Sequence, residues 1–85
     1  LPVWCGGMLE SGVGRAHNVA LASLPGFSLP GDISASRRYW AEDVVDPEFV
    51  VRDGHMVVPT GPGIGVDVDL DRIVATSVRT AEFTA

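Results

Sequence analysis

Val3-Trp4-Cys5-Gly6-Gly7-Met8-Leu9-Glu10-Ser11-Gly12 carries an apolar run into two adjacent glycines, then a carboxylate, then a glycine-punctuated helix start. Val3 to Met8 is continuously apolar rather than alternating, which predicts a strand covered on both faces, as in a parallel sheet. Ser11 fits the N-cap position of the helix that follows. Val13, Ala16, Ala20 and Leu24 fall on one stripe at helical spacing, and Pro25-Gly26 stops it. Phe27-Ser28-Leu29 reads as a second short strand, stopped by Pro30-Gly31-Asp32. Strand, helix and strand within about thirty residues make one βαβ unit. Strand ends that pass through glycine into a helix are where α/β proteins build ligand sites.

Two parallel strands and one helix leave both strand edges open and cover only one face. Something is therefore expected beside them. Ile33 to Pro47 is irregular and polar, a loop or short helical turns with Tyr39-Trp40 embedded in it. Phe49-Val50-Val51-Arg52 and His55-Met56-Val57-Val58 flank Asp53-Gly54, which predicts a hairpin closed by a tight primed turn. Thr60-Gly61-Pro62-Gly63-Ile64-Gly65 is a stiff, turning connector. Asp69 or Asp71 is placed to cap a final short helix from Leu70 to Ser77. Arg79 to Ala85 has no strong pattern, and no internal repeat is visible. The organisation expected is residues 1–45 as a βαβ unit with its following loop, and residues 46–85 as hairpin and tail.

The chain has 85 residues, one domain at most. A chain this short buries only roughly 60–65 % of the surface its unfolded form exposes. Its 46 % hydrophobic content and mean hydropathy of +0.24 are high for a small free-standing domain and fit a piece of a larger core. The net charge is −5 and all six basic residues are arginines, scattered along the chain. That argues against nucleic acid and anionic membranes as partners, since both need clustered cations. The absence of lysine excludes a lysine base or Schiff base supplied by this chain. Cys5 is the only cysteine, so no intrachain disulfide forms, and in an apolar run it reads as a small buried hydrophobe. No apolar run approaches a membrane span. The start lacks the basic and apolar regions of a signal peptide. It also lacks an initiator Met, so the gene product is expected to begin upstream.

Several site patterns fail on spacing. Gly12-Val13-Gly14 would need a third glycine where His17 stands to match a dinucleotide fingerprint. Gly61-Pro62-Gly63-Ile64-Gly65 fails at Val66. Asp67-Val68-Asp69-Leu70-Asp71 opens like a calcium loop, but the required glycine and glutamate are Arg72 and Val78. It reads instead as a solvated acidic edge with a helix cap. His17 and His55 have no partner at metal-ligand spacing. Glu10 is the carboxylate of interest. Two readings stay open: a site group at a strand end, or a partner of the helix dipole. Gly6-Gly7 marks either a close approach of backbone to ligand or a crowded corner.

Three ordered segments carry a resemblance: Pro2 to Arg15, Leu29-Pro30-Gly31-Asp32-Ile33-Ser34-Ala35-Ser36, and Val58-Pro59-Thr60-Gly61-Pro62-Gly63-Ile64-Gly65. Together they are similar to the C-terminal third of o-succinylbenzoate synthases and N-acylamino acid racemases of the enolase superfamily. The likeness runs from about Pro2 to Val66 and then fades. It implies an α/β fold: the C-terminal part of a modified (β/α)7β barrel, its last strand-helix-strand, with a hairpin and tail returning to a capping domain. It implies a cytoplasmic enzyme, a homo-oligomer as a full protein, acting on a small carboxylate substrate. A divalent metal, Mg2+ by preference, and catalytic lysines would come from residues outside this chain. The family abstracts a proton next to a carboxylate. The synthase then loses hydroxide to form o-succinylbenzoate, a menaquinone precursor, and the racemase returns the proton to the opposite face.

By that resemblance Gly6, Gly7 and Met8 line the substrate pocket, Glu10 is a supporting carboxylate, and Tyr39 is an aromatic near the pocket. No residue of this chain is catalytic and none binds the metal. Arg37 stands where relatives carry an acidic residue, and His17 where they carry a small one. The alternatives are a muconate-cycloisomerase-like or dipeptide-epimerase-like relative, and a non-catalytic small binding or scaffold domain.

Overall fold

The computed structural model describes residues 1–84. Its elements are helix α1 (Gly12–Ala22), a single 3-10 turn (Ser36–Arg38), strand β1 (Val45–Asp46), strand β2 (Asp67–Val68) and helix α2 (Leu70–Thr76). The chain is thus α/β, with helices and one small sheet.

The helix expected after Ser11 forms, but its buried face differs from the expected stripe. Gly12, Arg15, Ala16 and Val19 are buried, whereas Ala20 and Leu24 are exposed. Spacing of apolar residues placed the stripe one step around the helix, because it did not count an arginine as an inward residue. Ser11 occupies the N-cap with extended backbone, yet its side chain makes no capping bond. Asp43 takes that role from across the fold: its Oδ1 accepts the Gly12 N–H at 2.8 Å.

The two expected parallel strands are not regular strands. Val3–Cys5 and Gly26–Asp32 do run side by side in the same direction. They share bonds from Val3 N–H to Gly26 O at 2.9 Å, Leu29 N–H to Val3 O at 3.3 Å and Asp32 N–H to Cys5 O at 2.9 Å. The donors Leu29 and Asp32 are not two residues apart, so the alternation of a regular parallel ladder is lost. The expected double-sided burial is also corrected: Trp4 is 54 % and Met8 79 % exposed, and only Cys5 of this run is buried. The described residues supply no neighbour for the outer edge and no layer over the outer face.

The hairpin is reduced to its turn. Arg52 and His55 exchange both backbone bonds, at 2.8 and 2.9 Å. Asp53 and Gly54 both have positive φ, at 52° and 73°, the signature of the primed turn. Beyond that single bridge the flanking runs do not pair. A two-stranded hairpin has little stability without a third strand or a helix against it.

The sheet that forms is β1 with β2, antiparallel, with Val45 opposite Val68 and Asp46 opposite Asp67. The reading of Ile33–Pro47 as loop and turns missed β1, and the reading of Asp67 to Asp71 as a solvated edge missed β2. Asp69 caps α2, as expected, accepting the Arg72 N–H at 3.1 Å. Arg72 in turn donates to Asp43 O at 2.9 Å and pairs with Glu42 at 3.0 Å, so α2 is tied to the segment before β1.

The core joins Ala16 and Val19 of α1 to Val45 and Phe49, with Ile33, Met56 and Ile64 packed against them. It therefore draws on residues before and after position 45.

Candidate active-site wall

Gly6 to Glu10 links the first extended segment to α1. Gly7 lies against the second segment: a Cβ there would run into the Asp32 carbonyl, with the Ile33 Cα at 3.3 Å. Only glycine allows the two backbones to come so close. The crowding at Gly7 is backbone against backbone. Gly6 is open, with only the Trp4 ring near it at 3.5 Å.

Glu10 folds its carboxylate back over this loop. Oε2 accepts the Met8 N–H at 2.7 Å and Oε1 accepts from the Asn18 amide at 3.1 Å. It is not in the first turn of α1, which holds no acidic residue. The carboxylate therefore braces the Met8–Glu10 turn to the helix. Burial pushes the Glu10 carboxyl up. Hydrogen bonds from the backbone of Glu10 and Met8 and from Asn18, together with the Arg15 charge, outweigh it, and the group sits below the ordinary carboxylate value.

The sign of the pH effect follows. A carboxyl lowered by folding stabilises above its unfolded pKa, and that contribution is lost as the pH falls through the folded value. Glu10→Gln is therefore expected to be less stable than the parent at neutral pH, with the gap closing at pH values below the ordinary carboxylate range. Thermal midpoints of both proteins across that range check it. A gap that stays constant or widens with acid contradicts the bracing role.

Tyr39 hangs on the segment that follows Asp32, its hydroxyl 3.5 Å from the Ser34 Oγ. The Ser34 hydroxyl, and then the Arg38 guanidinium, hold the phenol below its ordinary value. The next residue, Trp40, donates its indole N–H to the Glu10 carbonyl at 3.1 Å. The Gly6–Glu10 loop and the 32–40 segment thus lie side by side, which brings the sequence-derived residues Gly7, Met8 and Glu10 together with the neighbourhood of Tyr39.

Sequence reasoning missed the buried polar cluster behind this wall. Arg15 and Ser36 are 0 % exposed and Asp43 is 2 % exposed. Asp43 Oδ1 accepts from Gly12 N–H and, at 2.7 Å, from Val44 N–H. Its Oδ2 accepts from the Ser36 hydroxyl at 2.6 Å and faces Arg15 Nη1 at 3.6 Å. The same Ser36 Oγ accepts the Phe49 N–H at 3.1 Å. Arg15 Nη2 donates to the Glu10 carbonyl at 2.9 Å. One signal was available: Arg15 is the only arginine, lysine or carboxylate residue in α1. A buried arginine there has no partner on its own helix.

An apolar groove of about 500 Å³ lies elsewhere, lined by Phe49, Val50, Met56, Pro59 and Val66 among others. None of the sequence-derived site residues lines it. Among the described residues no group of three or more histidine, cysteine or acidic side chains fits a metal ion. No helix among them is long and apolar enough to cross a membrane.

Residues 1–72 match the family model described as enolase C-terminal domain-like. An N-succinylamino acid racemase from Amycolatopsis is 65 % identical over 66 residues, 78 % of this chain and 18 % of the relative. An o-succinylbenzoate synthase from Listeria innocua is 63 % identical over 81 residues, 95 % of this chain and 22 % of the relative. The crystal structure of an enolase-superfamily member from Listeria innocua superposes with a TM-score of 0.81 at 59 % identity, covering 86 % of this chain and 20 % of that one. The chain spans about a fifth of the length of the relatives it matches.

Proposed function

Because the chain belongs to the enolase C-terminal domain-like family, we propose that the full-length protein is an o-succinylbenzoate synthase or N-acylamino acid racemase, and that this chain forms one wall of its substrate pocket. The likeness to relatives bearing both names, at 59–65 % identity, is the observation that carries the reading. In this reading the chain is the last strand-helix-strand of a barrel, with the hairpin and tail against a capping domain. The exposed flanks of Val3–Met8 support it, because they offer an edge and a face for neighbours to cover.

The reaction removes a proton from the carbon next to a carboxylate. The charge that develops needs a divalent cation and cationic side chains. This chain has no lysine, and its described residues do not fit a metal, so both are assigned to the rest of the protein. This chain's part is shape. Gly6 keeps the wall free of a side chain, Gly7 lets it pack against the Asp32 backbone, Met8 presents an exposed apolar side chain to a small carboxylate substrate, and Glu10 holds the turn. Tyr39 borders the same wall from the 32–40 segment. A cytoplasmic homo-oligomer serving menaquinone synthesis completes the proposal.

The test is an assay of the full-length protein for two activities: formation of o-succinylbenzoate, and racemisation of an N-succinylamino acid. Either activity, abolished by a chelator and restored by Mg2+, is the expected result. Absence of both in a folded protein overturns the reading.

A further inference from the structure

We propose that Arg15 and Trp40 are positioning residues that fix the Gly6–Glu10 wall by gripping a single atom, the carbonyl oxygen of Glu10. The kinetic part of this inference rests on the pocket-wall reading above. The grip itself rests on geometry alone.

Two donors from different parts of the fold converge on that oxygen. Arg15 Nη2 reaches it from α1 at 2.9 Å, and Trp40 Nε1 reaches it from beyond the 3-10 turn at 3.1 Å. The rest of the Arg15 guanidinium is poorly partnered. Its Nε and Nη1 are buried with no hydrogen-bond partner. Its ion pair with Asp43 is long, at 3.6 Å, and that carboxylate already has three shorter donors in Gly12, Val44 and Ser36. A buried ion pair with poor geometry contributes little net to folding, and replacing both partners by apolar side chains of similar volume is often neutral. What Arg15 does achieve is one good bond to the Glu10 carbonyl, from a guanidinium held in place by full burial.

That bond matters for the whole wall because Glu10 is its keystone. The carboxylate of the same residue holds Met8 N–H at 2.7 Å and the Asn18 amide. A shift of the Glu10 backbone therefore moves Met8 as well. The substrate would feel Arg15 and Trp40 only through this loop, without touching either.

The experiment uses the full-length protein with Arg15→Lys, Trp40→Phe and, as a control, Arg72→Lys. Lysine keeps a cation beside Asp43, but its compact ammonium lacks the forked reach to the Glu10 carbonyl. Phenylalanine keeps an aromatic ring and removes the N–H. Arg72 also donates to a backbone carbonyl, that of Asp43, but its side-chain partners are Glu42 and Asp69 and none is in Gly6–Glu10. Each of the first two variants is expected to raise KM for an N-succinylamino acid about fivefold, the worth of one hydrogen bond. Loss of uniform binding leaves kcat within about twofold. Arg72→Lys is expected to lower the thermal midpoint without moving KM.

Amide exchange is the second readout. The Met8 N–H is expected to exchange about fivefold faster in both wall variants and at the parental rate in Arg72→Lys. If Arg15→Lys fails to fold, Trp40→Phe at its more exposed position decides the matter alone. Unchanged KM with a lowered midpoint, or an equal KM rise in the control, overturns the kinetic claim. Unchanged Met8 exchange overturns the grip. A parent protein with neither activity sinks the functional reading, while the exchange result still decides the grip.

Discussion

Asp43→Ala is expected to destabilise the folded protein by roughly 3–5 kcal/mol, the cost of leaving a buried charge without its partner. Asp43 is 2 % exposed and serves four groups at once. Removing its carboxylate strands the Gly12 and Val44 N–H groups, the Ser36 hydroxyl and the Arg15 guanidinium. Gly12, Arg15 and Ser36 are buried, so the groups there lose a bond that solvent does not readily replace. The start of α1 also loses an anion that complements its dipole. Arg15→Met is the informative companion. It leaves Asp43 with three donors and fills the space with an apolar side chain, so it should cost far less, roughly 1–2 kcal/mol. Denaturant titration of both variants in the full-length protein, with the slope checked for constancy, measures the order. An Arg15→Met loss equal to that of Asp43→Ala would show that the cluster depends on the ion pair rather than on the carboxylate's hydrogen bonds.

Gly12→Ala is expected to destabilise by about 1–3 kcal/mol, the usual cost of overpacking a filled core. Helix propensity alone predicts the opposite, since alanine is favoured over glycine inside a helix by about 1 kcal/mol. The tertiary contact decides the sign. A Cβ at Gly12 would overlap the Val45 Cγ2 and come within 2.7 Å of Asp43 Oδ2. Val45 is 1 % exposed and Asp43 is 2 % exposed, so neither neighbour has space to retreat into. The first turn of α1 would have to lift away from β1, which also lengthens the Gly12–Asp43 bond. The combination Gly12→Ala with Val45→Ala tests the mechanism. It should cost less than the two single losses added together, because the smaller residue makes room for the new methyl group. Strict additivity would show that the strain lies elsewhere.

These two positions show how far the sequence could be read. The body of α1 was legible because helical periodicity and a Pro-Gly stop are local signals. The Asp53-Gly54 turn and the Asp69 cap were legible for the same reason: each is decided by φ, ψ and hydrogen bonds within a few residues. The glycine-carboxylate pattern also pointed to the Gly7–Glu10 loop, where backbone closeness and a bracing carboxylate are now seen. For Glu10 the fold shows the carboxylate turned back on Met8 and Asn18, outside the first turn of α1.

The misreadings share one cause. Val3–Met8 and Phe27–Leu29 have the composition of buried strands, but a regular ladder needs donors at every second residue, and the donors here, Leu29 and Asp32, break that alternation. Strands β1 and β2 are two residues each and have no periodicity to detect. They exist because Val45 meets Val68 across the fold.

The sequence by itself determined helix α1, the Asp53-Gly54 turn and the Asp69 cap, the absence of a lysine from these 85 residues and the family to which the ordered motifs belong. Only the tertiary structure decided that Arg15 points inward, that Asp43 rather than Ser11 caps α1, and that two donors meet on the Glu10 carbonyl. A helix, turn or cap is fixed by neighbours along the chain. A buried charge is fixed by whichever residues the folded chain brings within about 3 Å of it, and for Gly12 that residue is 31 positions away.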